Sequence, residues 1–406
     1  LFDRIFHSGY TGIGIVALWA SILHVAGIAQ LLRYNYSYIP IRFYVVLYLF
    51  TAGAVLVMMY RSQQWPKVYV KTINKTGNIF MLACCVVFAS HGYLYGRWKN
   101  EIKQDNRSLS YKKIDSSKKA DIVWLLLDEY GSSPSLQEQF YFHNPINAIL
   151  SQKGFCVLNN IRSRFTSTLF SVNAIFNEDD SIQPSSFYSA TRILEHSSWK
   201  RLLDSSGYQF VNLGFFDIGS AVKYANRSSY PQNYSDQLLS GTLFTMLYTK
   251  LEYTSAKCDS YNQEVLNRLN DTLSRQVDHA RFIWAHLGIP HEPFCRNANG
   301  EKIYVPQHGE NDSVLIREKY TGYVQYANSV ILLLLQQHPE LLQKVVIISG
   351  DHGPRFQFLR NKRYQMCPFA AVHVPKAFDT VGLKKLSYIS QLPAFIMAYL
   401  QSPGNK

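Results

Sequence analysis

Three stretches set carboxylates and imidazoles where an apolar run stops. "VVIISGDHG" (345–353) breaks off at Ser-Gly and delivers Asp351 and His352; "DIVWLLLDEYG" (121–131) delivers Asp128 and Glu129; "RFIWAHLGIPHEP" (281–293) carries His286 and His291. Uninterrupted apolar runs of this length read as buried strands of a parallel sheet. In open α/β sheets the carboxyl ends of such strands form the ligand-binding edge. Carboxylate and imidazole together make a donor set for zinc or manganese. Taken singly, an Asp after a strand is a turn former and a lone His a satisfied polar residue. Their coincidence at one rim favours a single divalent-metal site, with Asp128, Glu129, Asp351 and His352 as candidate ligands. A fourth stretch, "SRFTSTLFSVNAIFN" (163–177), holds five hydroxyls in its first nine residues. A hydroxyl on a divalent metal ionises more readily and becomes a nucleophile. The same residues suit a helix N-terminus, which caps with Ser or Thr and binds anions through its free N–H groups.

These residues need a sheet to bring them together. Candidate strands lie at 121–127, 155–160, 208–214, 281–287, 344–349 and 369–374, separated by helical patterns. One of these is "SSWKRLLDSS". Another is "YTGYVQYANSVILLLLQQHPELLQ", whose apolar Tyr323, Ala327, Val330, Ile331, Leu334 and Leu335 recur every three or four residues and predict a helix covering the sheet. Alternating strands and helices predict an α/β domain with a mostly parallel sheet.

Upstream the composition changes. Of the net charge of +13, residues 1–120 supply +11 (15 Lys/Arg against 4 Asp/Glu) and the remainder +2 (26 against 24). The basic excess thus sits in the most apolar part, which removes the nucleic-acid reading that the total suggests. Apolar stretches at 11–32, 41–60 and 77–96 each approach the ~20 residues of a membrane-crossing helix. Three of them exceed a signal peptide. His24 and His91 inside them are expected to hydrogen-bond within the helix bundle. The linker "RSQQWPKVYVKTINK" between the second and third spans has four bases and no acid, whereas "YNYSYIP" between the first two is uncharged. The positive-inside rule places the former in the cytoplasm. Everything after about residue 97 is then extracytoplasmic. The expected organisation is transmembrane helices over 1–97, a polar linker over 98–120 and a catalytic domain over 121–406. The chain lacks an initiator Met, as a piece of a longer protein would. Cys156, Cys258, Cys295 and Cys367 are far apart and include no C-x-x-C pair, so no disulfide is assigned.

Taken together, these motifs resemble the alkaline phosphatase superfamily. Within it they are most similar to the membrane-anchored phosphoethanolamine and phosphoglycerol transferases of bacterial envelopes. In those proteins the first strand ends in an acidic ligand, often Gly-Glu; "LDEYG" places Glu129 there, with Asp128 replacing the Gly. Their T-S-T-x-x-S segment matches "TSTLFS" (166–171) and selects Thr168 as nucleophile and ligand; "HLGIPHEP" matches their H-x-x-G-x-H-x-P; "SGDHG" matches S-D-H-G with one inserted residue. Their usual Y-x-H-G is replaced here by "PRFQFLRNKRYQMCPF", which has no His. The sulfatase motif C/S-x-P-x-R is absent, which ranks sulfate-ester hydrolysis lower.

The resemblance implies N-terminal transmembrane helices followed by an alkaline-phosphatase-like α/β/α domain. It implies one divalent ion, zinc first, with manganese, magnesium or calcium as alternatives, held by Asp128, Glu129, Thr168, Asp351 and His352. Thr168 and His291 would be catalytic, and His291, His286, Arg355 and Arg164 would contact substrate. The implied reaction moves a phospho-alcohol group from a phospholipid donor to an envelope lipid or glycan acceptor through a phospho-threonine. The protein would sit in a bacterial inner or plasma membrane. The alternatives are a membrane-tethered phosphodiesterase or sulfatase-like hydrolase, and a catalytically degenerate protein with a binding or assembly role.

Overall fold

The computed structural model describes residues 120–179, 187–221, 255–303, 313–375 and 380–401. The three apolar stretches at 11–32, 41–60 and 77–96 and the polar linker lie outside the described residues. Among the described residues no helix is long and apolar enough to cross a membrane.

Six strands form one sheet: β1 (Ile122–Leu127), β2 (Cys156–Val157), β3 (Gln209–Leu213), β4 (Arg281–Leu287), β5 (Val345–Gly350) and β6 (Ala370–His373). Their spatial order is β2-β6-β5-β1-β4-β3. β5, β1, β4 and β3 run parallel, while β6 pairs antiparallel with both β5 and β2. The sheet is thus mixed, with a parallel centre and an antiparallel edge. β1 lies at its middle, and none of its six residues is more than 1% exposed. That explains the absence of polar alternation, since both faces are covered.

The helices are α1 (Ser133–Phe140), α2 (Ile146–Gln152), α3 (Thr168–Asn177), α4 (Phe187–Glu195), α5 (Ser198–Ser205), α6 (Ser255–Ser274), α7 (Ser313–Gln337), α8 (Thr380–Lys384) and α9 (Leu392–Gln401). On one face, Trp124 of β1 and Trp284 of β4 meet at 5.5 Å, and Phe176 of α3 and Trp199 of α5 close over them at 4.9 Å and 6.0 Å. The Trp124 indole donates to Ser349 Oγ (2.9 Å), so the one polar residue of β5 on that face is satisfied. The six periodic apolar positions of α7 are all buried, but Leu333 within its "VILLLL" run is 52% exposed, because a helix interior faces the core along one stripe only.

At the amino end of the sheet, Asp121 ties three strands. Its carboxylate accepts from Arg281 at the start of β4 (2.8 Å) and from Lys344 just before β5 (2.7 Å). At the carboxyl end the backbones crowd. A Cβ on Gly350 would lie 2.4 Å from the Tyr130 carbonyl, and one on Gly353 would lie 2.0 Å from the Tyr364 carbonyl. The glycines of "SGDHG" are required by this approach.

Candidate metal centre

β1 and β5 are paired so that Leu127 lies beside Gly350. The residues that follow, Asp128 and Asp351-His352, therefore leave the sheet side by side. Donor atoms of Asp128, Asp351 and His352 all lie within 4.8 Å of one another, and all three residues are buried. The buried Oδ2 of Asp351 and Nε2 of His352 approach to 3.1 Å, yet neither makes a hydrogen bond. His352 Nδ1 donates to the Gly353 carbonyl (2.9 Å), which leaves the Nε2 lone pair facing the carboxylates. A cation among them would relieve two buried carboxylates and engage that lone pair. Burial pushes the Asp351 carboxyl up, and Asp128 pushes it further, against the pull of His352. The donor set thus fits a divalent ion that accepts N and O ligands. Three protein donors with an open position are the composition of a catalytic site.

Glu129 stands apart from these three. It has φ 65, the left-handed region at the third position of a turn closed by Tyr130 N–H to the Leu127 carbonyl (3.3 Å). That conformation costs a non-glycine residue on the order of 1 kcal/mol. Glu129 Oε1 accepts from the Arg355 backbone N–H (2.9 Å) and from Arg355 Nε (3.0 Å). Of the adjacent acids after β1, Asp128 supplies the donor in the triad; sequence matching ranked it second to Glu129. The adjoining backbone still serves the site, because Glu129 N–H donates to Asp351 Oδ1 (2.9 Å).

Thr168 is 1% exposed, and its hydroxyl donates to Asp128 Oδ1 (3.3 Å). It is the first residue of α3, and Ser167 is the N-cap. Thr168 stands among the free N–H groups of the first turn. Arg355 extends from Glu129 to the Thr166 carbonyl (2.9 Å) and to His291 Nε2 (2.8 Å). His291 Nε2 also lies 3.8 Å from Glu129 Oε2. His291 is thus beside Glu129 and Arg355, with its side chain 16% exposed. Burial depresses its pKa, but Asp128 and Glu129 outweigh burial and raise it, with Arg355 opposing. A guanidinium donating to Nε2 calls for a neutral ring, whereas the carboxylates favour a second proton. A divalent ion would offset the carboxylates, so the Arg355 contact is taken as the resting arrangement. Burial alone would raise the Asp128 carboxyl; His291, His286, His352 and Arg355 overcome it and hold it at about 2.

His286 is fully buried within β4, its Nε2 3.9 Å from Asp128 Oδ2, with its ring 4.3 Å from that of Phe215. Arg164 is exposed on the loop before α3. Sequence reasoning missed Tyr320. This fully buried residue of α7 donates to the Glu129 carbonyl (2.7 Å) and accepts from Gly131 N–H (3.1 Å), bracing the turn that carries Asp128 and Glu129. No local signal marks it, since it is 191 residues from its partner. Cys156, Cys258, Cys295 and Cys367 are buried free thiols.

The fold is a mixed α/β domain with a candidate metal cradle at the carboxyl end of its central strands and a threonine at a helix N-terminus beside it. The family model described as Sulfatase matches residues 121–376, and the chain belongs to that family, making it an enzyme of the alkaline phosphatase superfamily. Solved structures similar to it include the integral membrane lipooligosaccharide phosphoethanolamine transferase A of Neisseria meningitidis (16% identity, 89% of this chain and 69% of that one, TM-score 0.45). Two more are the C-terminal periplasmic domain of EcEptC from Escherichia coli (12%, 71% and 85%, 0.46) and the lipoteichoic acid synthase LtaP of Listeria monocytogenes (13%, 76% and 78%, 0.46). No curated protein matches the chain.

Proposed function

We propose that the chain transfers a phospho-alcohol group, such as phosphoethanolamine, from a phospholipid to an envelope lipid or glycan. The observation that carries this reading is the buried Thr168 hydroxyl at the N-terminus of α3, hydrogen-bonded to Asp128 beside Asp351 and His352. A divalent ion held by Asp128, Asp351 and His352, zinc by preference, would polarise a phosphoryl oxygen and favour the ionised hydroxyl. Thr168 Oγ1 attacks phosphorus and gives up its proton to the neutral His291 ring. An Oγ1–P bond forms and the bond to the departing lipid alcohol breaks, with that proton passed on by His291 to the departing oxygen. The acceptor hydroxyl then gives a proton to His291 and attacks phosphorus, and the Oγ1–P bond breaks as Thr168 takes that proton from His291. The first-turn N–H groups of α3 and Arg355 hold the phosphoryl oxygens.

The domain arrangement belongs to the same proposal: spans within 1–97, a linker over 98–120 and a catalytic domain over 121–406 on the extracytoplasmic side. A reporter fused after Asn106 should be active only when exported; a cytoplasmic signal would overturn the topology. For the chemistry, the full chain is incubated with mixed phospholipids and weighed intact. It should gain one phospho-alcohol mass, which names the donor headgroup. Thr168→Ala should gain nothing, and Thr166→Ala should behave as wild type. Label taken up by Thr168→Ala but not by Thr166→Ala would refute the assignment. Membership of the sulfatase family favours a second reading, hydrolysis with water as acceptor, including of sulfate esters. Product formation without any added acceptor alcohol would select it.

A further inference from the structure

The segment "PRFQFLRNKRYQMCPF" (354–369) enters the mechanism only through Arg355. Its remaining residues sort sharply. Phe356, Leu359 and Tyr364 are 7%, 3% and 7% exposed, and Phe356 stacks on Phe358 at 5.6 Å. Arg360, Lys362 and Arg363 all point to solvent. The backbone beneath these bases is pinned: Gly353 N–H donates to the Gln365 carbonyl (2.9 Å), Ser132 N–H to the Cys367 carbonyl (2.8 Å), and Arg360 N–H to Gln139 Oε1 (3.2 Å). Ser163 N–H donates to the Met366 carbonyl (2.8 Å), which brings exposed Arg162 and Arg164 alongside. Arg355 joins this loop to the nucleophile segment at Thr166. Five exposed bases therefore lie on the loop that carries Arg355 and on the segment that leads into α3. No Asp or Glu occurs from Gly353 to Phe378 or from Ile161 to Asn177. Two acids touch the loop: Glu129 accepts from Arg355 and Glu138 from the Tyr364 hydroxyl.

We propose that this basic rim rests on an anionic lipid surface and so sets the catalytic mouth at the level of the headgroups. This deepens the lipid-donor reading above and rests on it. The charge matches an anionic leaflet, where each added base strengthens partitioning about fivefold. Met366, 37% exposed among the bases, favours a bilayer over a soluble polyanion, since an interface accommodates an apolar side chain and a polymer gains nothing from it.

The test uses the full chain reconstituted in nanodiscs of phosphatidylcholine alone or with phosphatidylglycerol, reading amide hydrogen exchange over 355–366. Exchange should slow about tenfold in the anionic discs only, and the slowing should vanish in about 0.5 M salt. It should also vanish in the triple variant R360Q/K362Q/R363Q, which should turn over a small soluble phosphodiester as wild type does. Equal exchange in both discs would overturn the proposal. So would protection by soluble polyphosphate without protection by lipid, which would assign the rim to an anionic polymer. Absence of phosphodiester turnover in the wild type would instead strike the transferase reading and leave the exchange result standing by itself.

Discussion

Replacing Tyr320 with Phe removes one oxygen and should loosen the turn that carries the acidic residues of the site. The ring packs against Phe140 (4.6 Å between centroids) and Phe356 (5.4 Å), and Phe preserves those contacts. Any loss therefore belongs to the hydroxyl. That hydroxyl satisfies the Glu129 carbonyl and the Gly131 N–H, both on buried residues. A buried backbone group left without a partner costs about 1–3 kcal/mol. Two such groups, partly relieved by relaxation, predict about 2–4 kcal/mol. The left-handed Glu129 makes the turn more prone to relax, because its conformation is itself unfavourable by about 1 kcal/mol. For a domain of this size the melting temperature should fall by roughly 5–15 °C. The site should feel the change, because Glu129 N–H holds Asp351 Oδ1 and so links the turn to the donor triad. Metal affinity should weaken by about tenfold, the lower range for loss of an outer support. Urea unfolding of metal-free protein and competitive zinc titration measure the two effects separately. A stability loss below about 0.5 kcal/mol together with wild-type zinc affinity would refute the brace.

The triad makes its own prediction. Asp351→Asn and His352→Ala should each reduce bound metal to less than about a tenth of wild type after dialysis, read by elemental analysis. Stripping metal from wild type should lower stability by about 4 kcal/mol relative to protein with free ion at a thousand times its Kd, while equal stability with and without zinc would argue against the cradle. Acid sensitivity should trace in part to Asp121. Burial alone would raise its pKa, but Arg281 and Lys344 outweigh burial and lower it. A carboxyl lowered in the folded state contributes stability that is full above its unfolded value of about 3.9 and is lost as pH falls through the folded value. The stability deficit of Asp121→Asn should thus be large at pH 7 and shrink below about pH 4; a deficit independent of pH would show that packing, not charge, ties these strands.

Six apolar runs in the chain mark the six strands, five of them to within about one residue at each end, whereas β2 shortens to Cys156–Val157; the central β1, β4 and β5 are buried along their whole length and are therefore nearly apolar throughout. The six buried positions of α7 follow from a period of three and four, and Thr168 from its place at the head of an apolar helix. Asp351 and His352 are legible because a buried strand must stop before charge begins. The tertiary structure decided what depends on distance in space. β6 runs antiparallel, because a four-residue apolar run carries no direction. Asp128 rather than Glu129 joins the triad, because a left-handed residue after β1 sends adjacent side chains to different partners. His286 lies buried beside Phe215 with its Nε2 3.9 Å from Asp128 Oδ2, a contact set by the pairing of β4 with β1. Tyr320 braces the acidic turn through a hydroxyl that no spacing in the chain reveals. Local pattern follows from the covalent order of residues, whereas ligand choice and burial follow from which elements the packed core brings within a few ångströms.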